Sequence, residues 1–108
     1  MIGLFAALSA ALAIVAGAFG AHGASSPQAA QWLQTGASYQ LIHAVGALAL
    51  MARTRGAAAT LLAGGGLFGA SLYLLALDGP RWLGAVAPTG GTLLVAGWLW
   101  AAWTFARK

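Results

Sequence analysis

The sequence predicts an all-α integral membrane protein: four transmembrane helices in one antiparallel bundle, with both termini cytoplasmic. Three observations predict it. Of 108 residues, 61% are hydrophobic and 6% charged, against roughly 25% charged in an average soluble domain; a water-soluble fold of this size would need far more polar surface. Apolar runs of spanning length recur along the chain, separated by short turns. The charges stand at the ends of those runs, Arg53 and Arg55 beside one and Arg107 and Lys108 beside another. That placement also explains the formal net charge of +4: cations beside apolar runs answer to membrane topology and anionic headgroups, not to nucleic acid. The chain has no cysteine, which excludes disulfides, thiolate metal sites and thiol nucleophiles.

The first span is Ile2–Gly20, apolar apart from Ser9 and roughly 28 Å long as a helix. Ala16-Gly17-Ala18 looks like a cleavage site, but no Lys or Arg precedes the run and it exceeds a signal core, so a retained helix is expected. Gly3, Ala6, Ala10, Ala13, Gly17 and Gly20 recur every three or four positions, a stripe of small residues that admits a neighbouring helix closely. After the glycine-flanked exit carrying His22, Ser26-Pro27 is a helix start, with serine as N-cap and proline at the first helical position. From there one helix runs to Arg53: residues 27–35 form a polar extension outside the hydrocarbon, and 36–52 the second span. A break at Gly36 is the alternative. Arg53–Gly56 is a cationic turn. Residues 57–77 form the third span, with Gly65, Gly66 and Gly69 as close-packing positions. Asp78-Gly79-Pro80 ends it. Arg81–Ala87 is expected to be interfacial, with Trp82 at headgroup level. Pro88 biases its predecessor away from helix, so the fourth span is expected over 88–106, with Gly90 and Gly97 on one face. Trp100 and Trp103 form an aromatic belt before the terminal cations.

Four spans put the N-terminus, the Arg53–Gly56 turn and the C-terminus on one side. That side carries four cations; the other has Arg81 and the only anion, Asp78. The positive-inside rule then makes the first side cytoplasmic. On this topology the polar residues gather at the outer level. His22 lies at the outer end of the first helix, and His43 about 10 Å below Gly36. Ser71 is expected at a similar depth on the third span, on one face with the pocket candidate Asp78 seven residues on, and Thr89 at the outer start of the fourth. Tyr39, Gln40 and His43 are spaced to share one side of the second helix. The expected result is an outward-facing polar pocket around His22 and His43, above an apolar floor.

Ionisable groups inside a membrane are costly and need a reason. His43 admits two. It is a neutral imidazole bonded to Ser71 or a backbone carbonyl, holding helices in register, or a group that binds a ligand or accepts a proton near neutral pH. His22 is a solvated cap or half of a histidine pair. Two histidines and one aspartate are too few for a closed zinc site, and nothing in the spans asks for haem, so neither metal nor cofactor is expected. Ser71, His43 and Asp78 name the parts of a hydrolytic triad, but Ser71 and Asp78 are about two turns apart on one helix, which removes direct triad geometry. Asp78 reads more simply as a helix-ending residue paired with Arg81. Two functions follow. One is a structural or accessory membrane module, self-associating or docked on a larger complex through its glycine-rich faces. The other is binding or passage of a small solute, ion or lipid headgroup at the outer pocket.

The strings GAFGAHG (Gly17–Gly23), YQLIHA (Tyr39–Ala44), LFGASLYLLAL (Leu67–Leu77), PTGG (Pro88–Gly91) and GW (Gly97–Trp98) resemble the YgdD-like family of small four-helix membrane proteins, in order and across nearly the whole chain. The chain departs from that pattern at Gly69-Ala70, where members commonly carry a serine and a glycine, and at Thr89, commonly a larger apolar residue. The resemblance implies a four-helix membrane fold with no established activity. It adds Tyr73 to the pocket residues and Gly91 to the packing glycines.

Overall fold

The computed structural model describes residues 1–107; Lys108, one of the cations counted above, lies outside the described residues. The chain forms four helices: α1 (Ile2–His22), α2 (Pro27–Leu50), α3 (Arg55–Ala76) and α4 (Leu83–Ala106). Of these, α1, α3 and α4 are long and apolar enough to cross a membrane. α2 has 24 residues, roughly 36 Å, but its first half carries Gln28, Gln31, Gln34, Thr35 and Ser38.

The starts of α2 and α3 and the stop of α3 have local causes. The Ser26 hydroxyl accepts from the Ala29 amide at 3.0 Å with Pro27 just inside, the expected N-cap. Thr54 caps α3 the same way, accepting from Ala57 at 3.4 Å. α3 closes in a Schellman motif: Asp78 takes the left-handed conformation (φ 65°), its amide donates to Leu75 O, and the Gly79 amide donates to Leu74 O at 2.7 Å. Glycine is the usual occupant of that left-handed position. Here it is the chain's one acid.

α2 continues unbroken through Gly36. A methyl at Gly36 would lie 2.8 Å from the Tyr73 ring and 3.4 Å from the Gly69 Cα, so the glycine is there for close approach of α2 to α3, not for a break. The fourth helix corrects the sequence reading more sharply. It begins at Leu83, five residues before Pro88, and Pro88 lies inside it. Leu83, Ala87, Gly90, Leu94, Gly97, Ala101 and Thr104 are its buried residues, alternating four and three apart. That stripe gains burial from an early start, and tertiary packing outweighs the local bias of the residue before proline.

The helices pack in chain order, α1 on α2, α2 on α3, α3 on α4, with a smaller contact of α1 with α3. α2 and α3 are therefore central, while α1 and α4 are not packed on each other. Side-chain volume is small at the seams and backbones come close. Gly20 faces Leu33 of α2, and a methyl at Gly90 would lie 2.6 Å from the Phe68 backbone nitrogen. Gly17, Gly65, Gly69 and Gly97 also face neighbouring helices, but Gly66 and Gly91 meet nothing within 4 Å. The expectation that these two are packing positions within the bundle is thus corrected: both point away from the seams. At the end that holds the termini, Ala6, Ala47, Leu50, Ala57, Ala58, Leu61, Leu94 and Ala101 form an apolar plug. Arg53 stacks over Phe105 at 5.0 Å and Arg107 over Trp103 at 4.3 Å on the same end.

Candidate functional site

Two polar constellations are built on α2, and they lie on different sides of it. The first is built on Gln40, which is 4% exposed. Its amide nitrogen donates to the Ser9 hydroxyl of α1 at 2.9 Å, and its carbonyl oxygen accepts from the Tyr73 hydroxyl of α3 at 2.5 Å. One side chain thereby ties three helices. A methyl at Gly69 would stand 3.3 Å from both the Gln40 oxygen and the Tyr73 hydroxyl, so the bare backbone at Gly69 makes room for this bond.

The second is aromatic. The His43 Nδ1–H donates to the Tyr39 carbonyl oxygen at 2.6 Å, since a carbonyl can only accept. Its ring lies parallel to Tyr39 at 6.0 Å and edge-on to Trp98 of α4 at 6.1 Å; Tyr39 in turn tilts against Phe68 of α3 at 4.9 Å. The sequence placed Tyr39, Gln40 and His43 on one side of α2. The structure divides them: Tyr39 and His43 turn toward Phe68 of α3 and Trp98 of α4, and Gln40 toward Ser9 of α1 and Tyr73 of α3. Neighbours one position apart point about 100° apart on a helix, and the two seams claim different faces.

The expected pocket around the two histidines does not form. His22 is exposed at the last turn of α1, where Gly20 stands level with Ala30 and Leu33. His43 stands level with Gly65, in the middle of α3. The separation along the axis is some thirteen residues of α2, roughly 20 Å. Ser71 is six residues from Gly65 toward the end away from the termini, roughly 9 Å, and its hydroxyl donates to Leu67 O at 2.7 Å rather than to His43. Thr89 is exposed and joins neither constellation. Among the described residues every buried side-chain nitrogen and oxygen has a hydrogen-bond partner, and no three metal-ligating side chains gather.

A cleft of about 620 Å³ does open at the end of the bundle away from the termini, between α2, α3 and the start of α4. Gln28, Trp32, Asp78 and Arg81 supply its polar edge, and Leu72, Leu75 and Ala87 its apolar wall. Asp78 and Arg81 both face it, yet among the described residues no ion pair within 4.0 Å joins them; the expected Asp78–Arg81 pair is not made. Of these residues only Asp78 was a pocket candidate on sequence. Ser9 and Trp98 were also missed. Ser9 was visible as the lone hydroxyl of an apolar run, and Trp98 within the GW motif, but their partners depend on helix register.

The chain matches the family model described as protein of unknown function (DUF423) over residues 16–91. It is 37% identical to the UPF0382 inner membrane protein YgdD of Escherichia coli, over 88% of this chain and 81% of that protein. A UPF0382 membrane protein of Staphylococcus saprophyticus is 36% identical over 89% of this chain and 88% of its own. One from Haemophilus influenzae is 35% identical over 86% and 83%. No solved structure matches.

Proposed function

Starting from the fact that the chain belongs to the DUF423 family of membrane proteins of unknown function, we propose that it is a structural or accessory module of the inner membrane. In this reading all four helices span, both termini are cytoplasmic, and the protein works by association with a second copy or a larger membrane complex. The observation that carries it is the engagement of the interior polar groups. Gln40, Ser9 and Tyr73 bond one another across three helices, and His43 bonds the carbonyl one turn away. In a membrane such bonds supply packing specificity. The cation clusters at the termini end support the orientation, by the positive-inside rule.

The geometry also moves the proposed docking surface. Most of the glycine-rich faces pack within the chain. What remains open is a stripe on α3, where Ala59, Ala63 and Ala70 are exposed and Gly66 has nothing within 4 Å. Blue-native electrophoresis of gently solubilised membranes tests the reading. Migration as a dimer or within a heterologous assembly, lost in Gly66→Leu with the monomer fold intact, is expected. Migration as a lone monomer from native membranes under every mild detergent would overturn it.

A further inference from the structure

We infer that the cleft at the end away from the termini binds a zwitterionic phospholipid: Arg81 receives the phosphate, Asp78 the ammonium group, and an acyl chain lies in the trough between α2 and α4. The assignment is independent of whether the protein associates with partners.

The cleft has the size and chemistry for it. Its volume of about 620 Å³ falls within the roughly 300–1,000 Å³ of ordinary ligand sites. It holds one anion and one cation that are not paired with each other within 4.0 Å. A ligand with a single charge would face one like charge there; a headgroup with both charges satisfies each. Guanidinium suits a phosphate because its donors form a planar fork, and a carboxylate accepts from a primary ammonium. The polar edge gives way to Leu72, Leu75 and Ala87, so the occupant needs an apolar body as well as a charged head.

Position and backbone agree with this. α3 ends at Ala76 and α4 starts at Leu83, so Asp78 and Arg81 stand where the apolar runs stop. Trp32 is half-buried beside the cleft and Trp82 is 64% exposed next to it; indoles favour this headgroup level. Asp78 occupies the left-handed position of the α3 cap, and the two amide bonds of that cap fix its backbone. From the cleft toward the middle of the bundle, Gln28, Trp32, Tyr39 and His43 recur four, seven and four apart on one face of α2. Phe68 and Trp98 close the same trough. Tyr39 remains 46% exposed along it.

Native mass spectrometry of the full chain in detergent, with equal amounts of phosphatidylethanolamine and phosphatidylglycerol added, reads the site. The wild type should retain the ethanolamine lipid over the glycerol lipid by about fivefold or more, the scale of one partly exposed charge contact. Asp78→Asn should abolish the preference, and asparagine tolerates the left-handed backbone, so the cap and the melting temperature stay as they are. Arg81→Gln should lower retention of both lipids, and Arg81→Lys should restore most of it. Arg53→Gln, at the opposite end, should change nothing. Equal retention of the two lipids by the wild type, or an unchanged preference in Asp78→Asn, overturns the proposal. So does full competition by soluble glycerophosphoethanolamine, which would mark a site for a free phosphate ester.

Discussion

Gln40 shows what a polar side chain in an apolar chain is for. Its two hydrogen bonds run to different helices, whereas the hydroxyls of Thr60, Ser71, Thr92 and Thr104 each donate to the carbonyl four residues back. A hydroxyl on a helix always has that carbonyl within reach, so its presence in a span carries little information about function. An amide has more donors and acceptors than its own turn can absorb. Replacing Ser71 by Ala is therefore expected to shift stability by less than about 0.5 kcal/mol in a thermal melt. Tyr73→Phe removes an interhelical bond and should cost about 0.6 kcal/mol, the average for such bonds in membranes, with about 1.7 as the ceiling. The sequence marked Gln40 and Tyr73 but assigned them to a pocket. Their pairing was not legible because it depends on the rotation of α2 between two seams, which the near-uniform apolarity of α1 and α3 does not encode.

At the scale of the element, most boundaries were readable because their signals are local. Ser26-Pro27 and Asp78-Gly79 punctuate the backbone by side-chain bonding and by conformational tolerance. The start of α4 was not readable, because burial of Leu83 and Ala87 is a property of the assembled bundle. The glycines divide on the same ground. Gly90 and Gly91 are adjacent, yet a methyl on Gly90 meets the Phe68 backbone at 2.6 Å and one on Gly91 meets nothing within 4 Å. Gly90→Ala should cost about 1–3 kcal/mol, since backbone cannot yield as a side chain can. Gly91→Ala should be neutral or gain up to about 1 kcal/mol from helix propensity. Denaturation of the two variants in the same detergent checks the contrast, and equal losses would refute the packing order given for α3 and α4.

At the scale of the whole molecule, the chain is a row folded in sequence order rather than a closed ring of four. Composition made the all-helical membrane class legible, and the charge clusters argue for an orientation that remains a proposal. The arrangement of the row was not legible, because every helix offers small residues on more than one face. The absence of cysteine makes the orientation easy to test. A single cysteine at Ser25 should react with an impermeant maleimide from outside the cell, and one at Arg53 only after permeabilisation. The central claim is that interior polar groups hold the helices in this row, and the most direct measurement is a double-mutant cycle on Gln40→Leu and Tyr73→Phe by reversible unfolding in bicelles. A coupling of about 0.6 kcal/mol or more is expected. Strictly additive losses, with no coupling between the two positions, would contradict it.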